Sequence, residues 1–194
     1  MQAITPRDPI IWMGLAFFAV GAYHRIRSRQ SGERLDRTKE GWGILIGLRL
    51  CGLTTFALTL ALLTDPARFS WAAVAFPVWV TWCGALCFAL TGLWLVWMFQ
   101  ALGHNLTDTV VTRANATLVN HGPYRYVRNP MYSGVLMLGF GLGLALNTWL
   151  LPVAYSLVFV FMAARTPIEE RYLMERFGES YRIYRTRTGR FFPW

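Results

Sequence analysis

Four stretches of this 194-residue chain, 9–23, 41–64, 72–101 and 131–164, are almost unbroken runs of apolar side chains. A bilayer core about 30 Å thick takes roughly 20 such residues per helix, and water-soluble domains of this length rarely carry four runs of the kind. The last run is long enough for two helices. It contains a turn signal, Asn147-Thr148-Trp149 followed by Pro152, and reads as a helical hairpin. The sequence therefore predicts an all-α integral membrane protein, one domain over 1–194, folded as a bundle of about five transmembrane helices. The run 9–23 is the shortest and needs His24 and the arginines after it to reach toward headgroups. With no charged leader before it and no small-x-small site after it, it reads as a retained span rather than a signal peptide.

The formal net charge of +9 raises the question of nucleic acid, and the placement of the charges answers it. Arg25, Arg27, Arg29, Arg34, Arg37 and Lys39 fill the first connection, Arg113, Arg125 and Arg128 lie in the third, and seven arginines from Arg165 to Arg190 occupy the tail. The N-terminus has only Arg7, the second connection only Arg68, and the turn near Asn147 none. The positive-inside rule then puts the first and third connections and the C-terminus in the cytoplasm and the N-terminus outside. Basicity that follows membrane topology leaves no support for a nucleic-acid partner.

Cys51, Cys83 and Cys87 fall inside apolar runs without a Cys-x-x-Cys spacing and read as small buried hydrophobes. His24, His104 and His121 are isolated from one another, so no metal site is expected. Gly43 and Gly47, like Gly139 and Gly143, have the small-xxx-small spacing that lets helices approach closely in lipid.

Polar residues gather in two places, the connection 102–130 and the tail after 165. In the connection, Thr117-Leu118-Val119 is a short apolar patch, and Gly122-Pro123 and Asn129-Pro130 are turn signals. In the tail, Ile168, Tyr172, Leu173, Phe177, Tyr181 and Tyr184 recur at helical spacing, which predicts a helix over the cytoplasmic mouth of the bundle. Arg165 and Glu169 lie four apart, so a continuous helix puts them on one face, with Pro167 between them to loosen or kink it.

The run Thr117-Leu-Val-Asn-His-Gly122-Pro-Tyr124-Arg-Tyr-Val-Arg128-Asn-Pro130-Met-Tyr132-Ser-Gly134, then Arg165-Thr-Pro-Ile-Glu169-Glu170, Phe177-Gly178-Glu-Ser-Tyr181 and Phe192-Pro193, resembles the isoprenylcysteine carboxyl methyltransferase family in a prokaryotic form. The resemblance covers roughly the last 90 residues, and several uncommon residues match in order and spacing. It implies methyl transfer from S-adenosylmethionine to a carboxylate on a lipophilic, prenylcysteine-like acceptor. By the same resemblance, Ala116, Thr117, Leu118, Val119, Tyr124, Asn129, Pro130, Met131 and Tyr132 would cradle the cofactor. Glu169 would bind it, and Arg165 would hold the acceptor carboxylate. The pocket so implied lies between the loop before the fourth span and the C-terminal helix. Where the family usually has histidine this chain has Asn129, which keeps hydrogen-bonding capacity and cannot ionise.

The residue types suit that cofactor on independent grounds. Its ammonium needs an anion, which Glu169 or Glu170 supplies; its carboxylate needs loop donors around Gly122; and its base needs a flat apolar slot. Tyr124, Tyr126 and Tyr132 serve such a slot or anchor the membrane interface. His104 and His121 are close enough in sequence to the loop to be candidate contacts. Three other readings stand beside this one: methylation of a phospholipid amine, an NADPH-dependent membrane reductase with Arg125, Arg128 and Arg171 as phosphate clamps, and a scaffold binding anionic headgroups through its arginines.

Overall fold

The computed structural model describes residues 6–29, 42–103 and 117–193. Apart from two isolated bridges, regular structure among the described residues is helical. The order is α1 (Arg7–Arg29), α2 (Trp42–Thr64), a 3-10 turn (Pro66–Ala72), α3 (Val78–Leu102), a second 3-10 turn (Gly122–Arg125), α4 (Pro130–Ala145), α5 (Leu150–Phe177) and α6 (Glu179–Arg187). Four of these, α1, α2, α3 and α5, are long and apolar enough to cross a membrane. Their outer faces carry exposed large apolar residues such as Trp12, Phe18, Leu53, Trp79, Leu90 and Val160. Water does not tolerate apolar surface on this scale; lipid does, and the chain is an integral membrane protein of the expected all-α class.

Boundaries differ from the sequence reading at three points. The first helix is not short, since α1 runs 23 residues and passes both ends of 9–23. The third span begins at Val78 rather than residue 72, because Pro77 restricts the residue before it to extended backbone and residues 74–77 run as a strap. The tail is two helices, not one: Gly178, at φ +50°, ends α5 and starts α6. Pro167 lies inside α5, which runs on past it to Phe177. The hairpin turn falls where expected, with Asn147 in the left-handed region at φ 55°.

At 16 residues, α4 is about 24 Å long, short of a bilayer core about 30 Å thick, and it packs between α3 and α5. Its glycines divide that work. Gly141 faces α3, where a Cβ would lie 2.9 Å from the backbone nitrogen of Phe88, while Gly139 and Gly143 meet Tyr155 and Pro152 of α5. The small-xxx-small reading holds there and at Gly47, which faces the Phe161 ring, but Gly43 has nothing near it. The cysteines also differ from expectation: Cys83 is exposed on the outside of α3, and Cys51 and Cys87 are only half-buried.

Gly84 of α3 completes the α3–α4 contact, since its Cβ would come 2.5 Å from the Ala145 nitrogen and 2.8 Å from the Gly141 carbonyl. In lipid such packing, rather than apolar burial, holds helices together. Gly84→Ala is expected to destabilise by about 1–3 kcal/mol, read as a lower thermal midpoint in detergent. Gly52→Ala, with open space around it, is expected to be neutral or stabilising. Equal midpoints for Gly84→Ala and the parent would disprove the close approach.

At one end of the bundle the connections are laced together. Arg7 donates to the carbonyls of Leu63 and Thr64, closing the C-terminus of α2. Ala73 and Thr148 form a bridge, the Val74 N–H donates to the Asn147 carbonyl at 2.8 Å, and Trp71 meets Trp149 edge to face at 5.8 Å. The loop after Gly122, the end of α5 and α6 gather at the opposite end.

Candidate active site

The loop and the tail meet. Thr188 to Phe191 follow α6 as a bent segment and lie beside residues 127–129, with a parallel bridge between Val127 and Gly189. Arg128 N–H donates to the Gly189 carbonyl at 2.8 Å and Asn129 N–H to the Arg190 carbonyl at 3.1 Å. The Asn129 side-chain amide donates to that same Arg190 carbonyl at 3.1 Å. Asn129 thus spends a side-chain donor on the tail backbone, a bond that needs no ionisable group.

Arg165 and Glu169 share a face as the helical spacing requires. Arg165 Nε and Nη2 donate to Glu169 Oε1 at 3.0 and 2.6 Å, and the Tyr132 hydroxyl donates to Oε2 at 2.6 Å. The two charged side chains are only 10% and 17% exposed, so the pair is held far better than a surface i,i+4 pair. Tyr132 is itself fixed: its ring is buried with Val158 and Met162, and Phe191 stacks on it at 6.1 Å. The start of α4 is anchored by Trp94, whose indole N–H donates to the Pro130 carbonyl at 3.1 Å.

Tyr124 belongs to the same neighbourhood. Burial first, then Tyr184 and the charge of Glu169, push its hydroxyl well above the ordinary phenol range. Tyr184 donates its hydroxyl to the Tyr124 carbonyl at 2.7 Å, and burial raises Tyr184 to about 12 against the lowering effects of Thr188 and Arg128. Both phenols stay protonated at any working pH and remain donors. Val119 and Pro123 are buried, Leu118, Gly122 and Met131 half-buried, and Thr117 and His121 exposed. Gly122 takes φ +61°, and a Cβ on it would press on Ala101 of α3. His104 and Ala116 lie outside the described residues.

Glu170 is in a different position from Glu169. It is turned into the loop–tail junction, accepts from Arg128 Nε at 3.2 Å and from Arg190 Nη2 at 3.0 Å, and has Arg185 at 3.9 Å. Arg128, 6% exposed at its side chain, also donates to the carbonyls of Arg185 and Thr188. Such a guanidinium is committed inside the protein, which removes one of the three phosphate clamps that an NADPH reading needs. The sequence reading missed this cluster and Phe191, which touches both Tyr132 and Phe159. Its one usable signal was a Glu-Glu pair, since neighbours on a helix point about 100° apart and face different partners. Among the described residues no group of His, Cys, Asp and Glu is arranged to hold a metal.

A membrane bundle in which a short glycine-rich helix, α4, meets a carboxylate-centred polar site borne by the end of α5 is the architecture in hand. The phospholipid methyltransferase family model matches residues 79–180, which takes in α3, the loop, α4 and most of the tail, and the chain belongs to that family. Within it, the similarity runs to the isoprenylcysteine O-methyltransferases, as the loop and tail motifs imply. The protein-S-isoprenylcysteine O-methyltransferase of Schizosaccharomyces pombe is 32% identical over 157 residues, covering 78% of this chain and 66% of the relative. A probable protein-S-isoprenylcysteine O-methyltransferase of Oryza sativa subsp. indica is 41% identical over 68 residues, 34% of this chain and 36% of the relative. The chain thus spans between about a third and two thirds of the length of these relatives. The solved structure of a eukaryotic intramembrane Ras methyltransferase, isoprenylcysteine carboxyl methyltransferase, has the same fold. It aligns with a TM-score of 0.59 at 20% identity, over 96% of this chain and 68% of that one.

Proposed function

We propose that this protein transfers methyl from S-adenosylmethionine to the carboxylate of a lipophilic, prenylcysteine-like acceptor. The observation that carries the reading is the Arg165–Glu169–Tyr132 constellation at the point where loop and tail meet, together with relatives named for that reaction. The residues suit the cofactor. Glu169 offers about four acceptor positions; three are taken by the bonds to Arg165 and Tyr132, and one on Oε2 remains for an ammonium. Tyr132 and Arg165 hold that carboxylate in one orientation, and the Gly122–Arg125 turn with Tyr124 and Val119 supplies backbone groups and apolar surface close by.

Bound adenosylmethionine supplies a methyl group on a sulfonium, an activated leaving group. The chain's own task is positioning and exclusion of water. Arg165 lies next to the bound ammonium's partner and grips an acceptor carboxylate in fixed geometry. An α-carboxylate, with a pKa of about 3.5, is ionised at neutral pH and needs no general base, whereas an amine acceptor must lose a proton. The arginine distribution, gathered at the end that holds the site, favours a cytoplasmic site and C-terminus with the N-terminus outside.

The test is methyl transfer from labelled adenosylmethionine to an S-farnesylcysteine with a free carboxylate, in parallel with phosphatidylethanolamine. The expected product is a base-labile methyl ester on the farnesylcysteine, formed at a rate flat between about pH 6 and 9, as an acceptor already ionised requires. Label appearing only in base-stable phospholipid would overturn the proposal in favour of amine methylation.

A further inference from the structure

On the far side of α5 lies a second polar site that the methyl-transfer reading does not use. At 100° per residue, Pro167, Arg171 and Met174 occupy the face of α5 opposite to Arg165 and Glu169. With Glu170, Glu175, Arg185 and Arg190 they line an open groove of about 440 Å³. Arg128 supports Glu170 from behind, so four arginines answer two glutamates and the groove carries an excess of positive charge. The guanidiniums keep open sides: Arg185 and Arg190, while facing Glu170, are 49% and 41% exposed, and Arg171 is exposed with no ion-pair or hydrogen-bond partner among the described residues.

We propose that this groove binds the phosphate of an anionic phospholipid in the leaflet that the tail faces. The chemistry is that of a phosphodiester, for which planar guanidiniums are the preferred partners. Two observations favour a lipid over a soluble phosphate. The groove opens at Pro167, where the apolar length of α5 gives way to its charged end, and two of its lining residues, Pro167 and Met174, are apolar. Its other wall, α6, is an interfacial helix in pattern. It turns Tyr181 inward, sets Arg185 toward the groove and leaves Arg182 and Ile183 outward. A headgroup held here bears on Arg190, and through it on the Glu170 clamp that seats the tail.

The experiment titrates the purified full chain with phosphatidylglycerol or phosphatidylcholine and counts bound lipid by native mass spectrometry, with inorganic phosphate as competitor. Phosphatidylglycerol is expected to bind preferentially, and Arg171→Gln to weaken it about fivefold, the effect of one arginine near an anionic surface. Arg185→Gln, which leaves Glu170 on Arg128 and Arg190, is expected to do the same. Arg182→Gln, outside the groove and paired with Glu179, is expected to change nothing. Undiminished binding in both groove variants, an equal loss in Arg182→Gln, or full displacement by inorganic phosphate at the lipid's own concentration would each overturn the proposal.

Discussion

Glu169→Gln is expected to weaken adenosylmethionine binding about 100-fold while leaving a folded protein. Glutamine has the same shape, but its amide nitrogen cannot accept the bonds that Arg165 or Tyr132 donate to the carboxylate, and it offers no charge to an ammonium. Hydrogen bonds to charged groups are worth about 1.5–3 kcal/mol each, and Arg165, which is nearly buried, loses its counter-charge at the same time. Isothermal titration with both adenosylmethionine and adenosylhomocysteine gives the sharper result. The two share the ammonium and differ at sulfur, so a carboxylate that grips the ammonium loses both ligands equally. Selective loss of the sulfonium compound would assign Glu169 to the sulfur instead, and unchanged binding of both would remove it from the site.

The second large effect is expected at Glu170. Glu170→Gln strands Arg128, buried beneath the tail with only backbone carbonyls for company. Breaking a buried pair by removing one partner costs about 3–5 kcal/mol, so a marked fall in thermal midpoint is expected. Accelerated trypsin cleavage after Arg185, Arg187 and Arg190 should accompany it as the segment after α6 leaves Val127. Activity should fall with it, because Phe191 no longer presses on Tyr132. Replacing both partners, Arg128→Met with Glu170→Leu, is expected to recover much of the stability, since an apolar pair of similar volume avoids desolvating two charges. A double variant no better than Glu170→Gln would show that Arg128 matters for its bonds to the tail carbonyls rather than for the ion pair.

These two adjacent glutamates illustrate what the sequence made legible. Spans, the hairpin turn at Asn147 and the Arg165–Glu169 pair follow from the demands of lipid on backbone and from helical spacing, both of which act over a few residues. The meeting of loop and tail was also readable, because both are polar and both fall at one end of the same bundle. What the spacing could not supply was partners far apart along the chain. Arg128 finds Glu170 at a separation of 42 residues, Asn129 finds Arg190 at 61, and Phe191 rather than the motif residue Phe192 lands on Tyr132. Gly178 and Pro77 were visible breakers, yet the apolar and aromatic periodicity around each concealed the break.

The laced end of the bundle has a mechanical consequence. With Arg7 bolted to the end of α2, and residues 72–74 pinned to the Asn147 turn, the helices cannot separate there without losing several hydrogen bonds together. A fixed end of this kind works like the rivet of a fan: the blades keep their order there, and any sideways entry of a bulky hydrocarbon falls away from it, toward the level of Glu169.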